Sequence, residues 1–120
     1  MSVSKYFEVR PGPVTTIRFT QSELFDTIMV DELRDDLTAF AEHNLPDKLL
    51  LDFGEVEFCS TSMINTLLRV KKIVSRDHQG ELKLCGMKDN VRSAFEMLNL
   101  DGTIFEIYDA VDDAIAAFDA

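Results

Sequence analysis

The sequence predicts an α/β fold, a mixed and largely parallel β-sheet packed by about four α-helices. Short segments rich in β-branched and aromatic residues alternate along the chain with stretches whose apolar residues recur every three or four positions. One extended segment, KLLLDF, is apolar without alternation, the mark of a strand covered on both faces. With 120 residues, 46% of them hydrophobic and nine of them Phe, the chain carries enough apolar bulk for one core.

Each element has its own signal. YFEVR and VTTIRFT are separated by Pro11, Gly12 and Pro13, which fix a turn, so the chain opens with a hairpin. Val30, Leu33, Leu37 and Phe40 then recur at helical spacing with Asp31, Glu32, Asp35 and Asp36 between them; this amphipathic helix ends near Asn44 and Pro46. KLLLDF is the buried strand, after which the chain turns through GEVEF. A second helix runs from about Thr61 to Arg76 and is closed by Gln79 and Gly80. ELKLCG is a further strand, and Val91, Ala94, Phe95 and Leu98 mark a helix behind Asp89 or Asn90 as cap. TIFEI is a last short strand, and Val111, Ala114, Ile115 and Phe118 mark a final helix behind Asp109. The order β-β-α-β-α-β-α-β-α requires crossover connections, hence parallel strands beside the antiparallel hairpin. No linker, repeat or low-complexity segment interrupts residues 1–120, which read as one domain.

Composition narrows the function. Twenty-two Asp and Glu against twelve Lys and Arg give a net charge of −10, which repels nucleic acid and anionic lipid and points to a protein partner. No apolar stretch approaches the roughly 18 residues of a membrane span, and MSVSKYFEVRPG lacks the basic start and apolar middle of a signal peptide, so a cytoplasmic location is expected. Cys59 and Cys85 have no C-x-x-C spacing and apolar or small neighbours, and are expected to be reduced and buried.

Several apparent chemical motifs dissolve on inspection. DFG at Asp52 to Gly54 copies a kinase triplet, but no Gly-rich loop or catalytic-loop motif accompanies it; a turn in which Asp52 accepts amide hydrogens explains it. The pairs Asp35/Asp36 and Asp112/Asp113 lie on helices, where adjacent side chains diverge by about 100° and do not converge on one metal. His43 and His78 sit at a helix end and in a polar turn, outside any HExxH or nucleophile-elbow pattern. No nucleophile–base pair, cofactor motif or metal set can be named, so a binding module is expected rather than an enzyme.

One stretch asks for more than packing. In CSTSM, Ser60 is the natural N-cap of the second helix, and Thr61 and Ser62 fall in its first turn, where free amides and the helix dipole favour an anion. Either the stretch caps a helix and nothing more, or it holds a phosphoacceptor. A phosphate at this end gains only about 0.3–1 kcal/mol from the dipole, whereas its roughly two negative charges oppose a packed interface, so modification changes binding more than folding.

KLLLDFGEVEFCSTSMINTLLRVKKI, followed by GELKLCGMKDNVRSAFEMLNLDGTIFEIYDAVDDAIAAF, resembles the STAS domain of bacterial anti-sigma factor antagonists, and the hairpin and SELFD near Leu24 fit its first half. The resemblance implies a switch. In that family the strand-to-helix turn carries Asp-Ser-Ser-Gly, whose first Ser is phosphorylated by an anti-sigma factor that is also a serine kinase, and a phosphatase reverses this. Unmodified antagonist binds the anti-sigma factor and frees the sigma factor. By this resemblance Ser60 stands for the Asp, Thr61 for the phosphoacceptor, Ser62 for the second Ser and Met63 for the Gly, with Ser62 and Ser60 as second choices for the phosphate. Met63 is expected to meet the partner as a bulky thioether.

Asn65, Arg69, Lys72 and Arg76 follow at three- or four-residue spacing, a basic stripe on an acidic protein beside the candidate switch. It is either a solvated face favoured by the helix dipole or a docking surface for an acidic partner. The expected function is a protein-binding switch in partner-switching control of a sigma factor, with no activity or cofactor of its own. The alternatives are a STAS subunit on the ATPase of a lipid-transport ABC system and a non-phosphorylated STAS scaffold or small-ligand sensor.

Overall fold

The computed structural model describes residues 4–77 and 79–119, and for Asp77 the backbone only. Strands β1 (Phe7–Arg10), β2 (Thr15–Phe19), β4 (Lys48–Asp52), β6 (Glu81–Cys85) and β7 (Ile107–Tyr108) form a five-stranded sheet in the order β1-β2-β4-β6-β7. The β1–β2 hairpin is antiparallel, with Val9 opposite Ile17, and every other pair in this sheet is parallel. Helices α1 (Thr27–Asn44), α2 (Thr61–Lys72), α3 (Asp89–Met97) and α4 (Val111–Phe118) complete the predicted α/β plan. Among the described residues no helix is long and apolar enough to cross a membrane.

The central strand explains its own composition. Leu49, Leu51 and Phe53 enter the large core beneath α1, α2 and α3, while Leu50 turns to the opposite face and packs with Cys85, Ala114 and Phe118 under α4. Both faces of β4 are therefore dry, which is why its apolar run does not alternate. A chain of edge-to-face rings, Phe19–Phe53–Phe95–Phe105, ties β2, β4, α3 and the following turn together with centroid separations of 4.9, 6.4 and 5.7 Å.

Four local expectations are corrected. First, the segments 22–26 and 55–60 contain a second, two-stranded parallel sheet, β3 (Glu23–Leu24) against β5 (Phe58–Cys59). Second, TIFEI does not form a strand along its length: Asn99 and Gly102 take positive φ angles of 60° and 79°, the chain turns, and Phe105 drops into the core before β7 begins at Ile107. Third, α3 and α4 start behind Lys88 and Ala110, neither with a side-chain cap; Asp89 is the first residue of α3, Asn90 bonds the carbonyl of Glu57, and Asp109 pairs with Arg92 at 3.2 Å. Fourth, α2 ends at Lys72 and continues as a π-helical turn, Ile73–Asp77, so Arg76 stands on a wider turn than α-helical spacing supposes. Helix α1 ends as expected, with Leu45 at φ 44° donating to Ala41 O at 3.1 Å. His43 is exposed in its last turn, and His78 lies outside the described residues.

Candidate functional site

The approach to α2 is fixed by backbone bonds. As β4 ends, Asp52 Oδ1 accepts the N–H of Gly54 at 2.9 Å and Phe53 O accepts that of Val56 at 2.9 Å, the turn read into DFG. The chain then runs beside β3. Glu57 and Phe58 N–H groups both reach Ser22 O, at 2.6 and 3.1 Å, and Ser60 N–H reaches Leu24 O at 3.0 Å. The first residues of α2 are thus held against the segment that leads into α1.

Ser60 is the N-cap. Its φ/ψ of −78°/163° is extended, its Oγ accepts Met63 N–H at 3.1 Å, and its carbonyl accepts Ile64 N–H at 3.0 Å, the first bond of the helix. Thr61 and Ser62 follow on the exposed side, and among the described residues no hydrogen bond engages either hydroxyl. Their amides precede that first bond, so this end presents donors to solvent. Ser62 contributes its carbonyl to Thr66 Oγ1 at 3.2 Å.

Met63 is the correction here. At about 100° per residue, a cap that turns Thr61 and Ser62 outward turns the next two residues inward, and Met63 and Ile64 are both buried in the main core. The thioether therefore does not meet a partner. The outer surface of the turn is shaped by Thr61 and Ser62.

The four residues of the basic stripe are all exposed. Thr61, Asn65, Arg69 and Lys72 succeed one another at helical spacing on the outer face of α2, and Arg76 follows on the π turn. Among the described residues no ion pair engages Arg69, Lys72 or Arg76, whereas Arg18, Arg34 and Arg92 each hold a carboxylate. On the other side of Ser60 lies an open groove of about 530 Å³, lined by Glu23, Phe25, Phe58, Cys59, Ser60 and Asn90. Phe25 and Phe58 are 52% and 51% exposed, far above the other Phe side chains of the core.

Cys85 is fully buried as expected, and burial, joined by the Asp52 charge, pushes its thiol up to about 12. Cys59 is only half-buried and forms part of the groove wall, a correction to the expected core position, although burial pushes its thiol to about 12 as well. Both are free thiols.

Sequence reasoning singled out Ser60, Thr61, Ser62 and the stripe, which the structure places at the start and outer face of α2 and its π turn, but did not point to the groove. The available signal was that SELFD and EFCS each place an aromatic residue immediately or two positions before a helix cap, Asp26 and Ser60, amid polar neighbours.

A mixed, largely parallel sheet packed by four helices, with exposed hydroxyls at one strand-to-helix turn and a basic helix face leading away from it, defines a small α/β domain. The STAS domain family matches residues 7–114, and the chain belongs to that family. It is similar to the Bordetella bronchiseptica protein named "Putative anti-sigma factor antagonist BtrV", 35% identical over 71 residues, a match spanning 59% of this chain and 60% of that relative. A STAS-domain anti-sigma factor antagonist protein from Planctomyces limnophilus superposes with a TM-score of 0.81 at 24% identity, covering 95% of this chain and 98% of that one. The Bacillus cell-fate determinant SpoIIAA in its phosphorylated form gives 0.68 at 17% identity over 93% and 98% of the two chains. These structures share the fold.

Proposed function

We propose that this STAS domain is an anti-sigma factor antagonist, a cytoplasmic protein-binding switch set by phosphorylation of Thr61. Its partners are an anti-sigma factor with serine-kinase activity and a phosphatase that restores the unmodified form. The observation that carries this reading is the division of labour at the turn. Ser60 Oγ accepts Met63 N–H, while Thr61, at the first helical position, is exposed and its hydroxyl has no hydrogen bond among the described residues. A phosphate on Thr61 then leaves the cap intact and meets the unpaired amides of the helix end.

Phosphate on Ser60 would displace the cap, which makes Ser60 the weaker acceptor; Ser62 is exposed and is the nearer second choice. Asn65, Arg69, Lys72 and Arg76 extend the binding face, and a dianion at Thr61 adds charge and desolvation cost at its head. The test is intact-mass analysis and site mapping of protein recovered from its native cells under stressed and unstressed conditions. Phosphate on Thr61 in one condition is the expected result. Phosphate confined to Ser62 or Ser60 moves the switch along the turn, and an unmodified turn in all conditions, with Thr61→Glu binding as wild type does, defeats it.

A further inference from the structure

We propose that the Phe25/Phe58 groove and the basic face of α2 form one docking surface for an acidic amphipathic helix of a protein partner, which seats an apolar side chain in the groove. The proposal rests on the reading above that the N-terminal end of α2 faces a protein.

The two parts are continuous. Ser60 borders the groove, and Thr61, the next residue, heads the exposed line Thr61–Asn65–Arg69–Lys72. From Thr61 to Arg76 the line extends about 22 Å at 1.5 Å per residue, the length of a helix of four turns. Phe25 and Phe58 line the same groove and are each about half exposed, and apolar surface gathered in one groove is a common feature of contact sites.

Charge selects the occupant. In a chain of net charge −10, Arg69, Lys72 and Arg76 are exposed cations that no described carboxylate neutralises. An acidic face supplies what they lack. The groove wall is poor in free polar groups: Ser60 Oγ already accepts Met63 N–H, Asn90 Nδ2 already donates to Glu57 O, and the charged lining residue is Glu23, so an apolar side chain suits it better than a small polar ligand. A second copy of this chain is a poorer occupant. The apolar face of its acidic helix α1, Val30, Leu33, Leu37 and Phe40, is buried in its own core and is not free to seat a side chain in the groove.

The location also fits the proposed switch, since Thr61 lies between anchor and stripe. A phosphate there stands at the junction that a bound helix must cross.

The experiment uses the full chain in its native cells with the photo-crosslinker p-benzoylphenylalanine placed at position 58, in parallel at 25 and at 72, and at exposed Met97 as control. Positions 58 and 72 are expected to capture the same polypeptide. Mapping is expected to find one acidic helical segment with an apolar residue at the position-58 adduct, and Arg69→Glu with Lys72→Glu should lower that adduct's yield at least tenfold. Position 25 serves if the probe at 58 disturbs folding. Adducts to a second copy of the chain, to a segment without acidic residues, or to a different protein at each position overturn the proposal, as does absence of a protein adduct at both 58 and 25. The switch fails separately: an adduct retained at full yield in Thr61→Glu leaves the docking surface standing and removes phosphorylation as its control.

Discussion

Ser60 Oγ and Met63 N–H meet at 3.1 Å, and this bond couples a surface turn to the core, because the residue that donates it is itself buried. Ser60→Ala should cost about 0.5–2 kcal/mol, as loss of an N-cap does, and Ser60→Asp should restore most of it. Thr61→Ala, one residue on, should leave urea-unfolding midpoints near wild type. Equal losses at both positions would show that Ser60 is not the cap that holds the helix.

Gly86 follows β6 at φ +76°, and a Cβ there would stand 2.8 Å from Asp52 Oδ1 and 3.1 Å from Gly54 N. The space is occupied by the turn that launches the chain toward β5. Gly86→Ala combines a left-handed backbone with a collision and should cost more than about 1 kcal/mol. Gly102, with a similar φ of +79° but open space around it, should pay only the backbone part. Denaturant unfolding of the two variants side by side checks the difference.

Lys83 is buried on β6 and donates to Glu106, with its ammonium 5.1 Å from the Phe118 ring centroid and 5.7 Å from that of Tyr108. Burial lowers its pKa, but the hydrogen bond and charge of Glu106 outweigh this and the net direction is up; the same hydrogen bond holds the Glu106 carboxyl below its ordinary value. A depressed carboxyl stabilises above its unfolded pKa of about 4.3, and that contribution is lost as pH falls through the folded value. The raised ammonium acts oppositely: its contribution is full below about 10.4 and is lost as pH rises through the folded value. Glu106→Gln should therefore flatten the fall in stability at acid pH. At neutral pH it should destabilise more than Lys83→Met, because it leaves a buried ammonium without its carboxylate. Melting curves would refute this if the two variants were equally stable at neutral pH, or if the acid limb of Glu106→Gln fell as steeply as that of wild type.

With both thiols pushed to about 12, almost no thiolate exists near neutral pH. Cys59 and Cys85 should each react slowly with a thiol reagent in the native protein and rapidly after denaturation. Of the two, Cys59 should be the faster, being half-buried on the groove wall. Immediate native labelling of Cys85 would contradict the packing under α4.

The elements that the sequence made legible are those whose pattern depends on one neighbour relation repeated several times. The periodic apolar residues of α1 and α4, the hairpin turn at residues 11–13 and the two-faced burial of KLLLDF are of this kind. Ser60 was legible for a related reason, since capping is chemistry between residues three apart. The β3–β5 sheet was not, because each strand is two residues long and the partners stand 35 positions apart, Glu23 opposite Phe58. Asp109 had the right chemistry for a cap but was claimed by Arg92, a contact across 17 residues. The orientation of Met63 follows from the cap once the helix start is known. The family resemblance obscured it, because matching Met63 to a surface Gly suggested an exposed side chain.

The short clasp between β3 and β5 has an evolutionary corollary. It holds the approach to α2 through main-chain atoms, whereas the groove is walled by side chains that project from this scaffold. On the docking surface proposed above, recognition rests on side chains at 25, 58, 69 and 72 and the frame on main-chain bonds, so changes at those positions should alter partner choice more than the presentation of position 61. Sister domains of this fold coexisting in one cell can be insulated from one another by a handful of substitutions, and transplanting that handful between two of them should exchange their allegiances while leaving both equally stable.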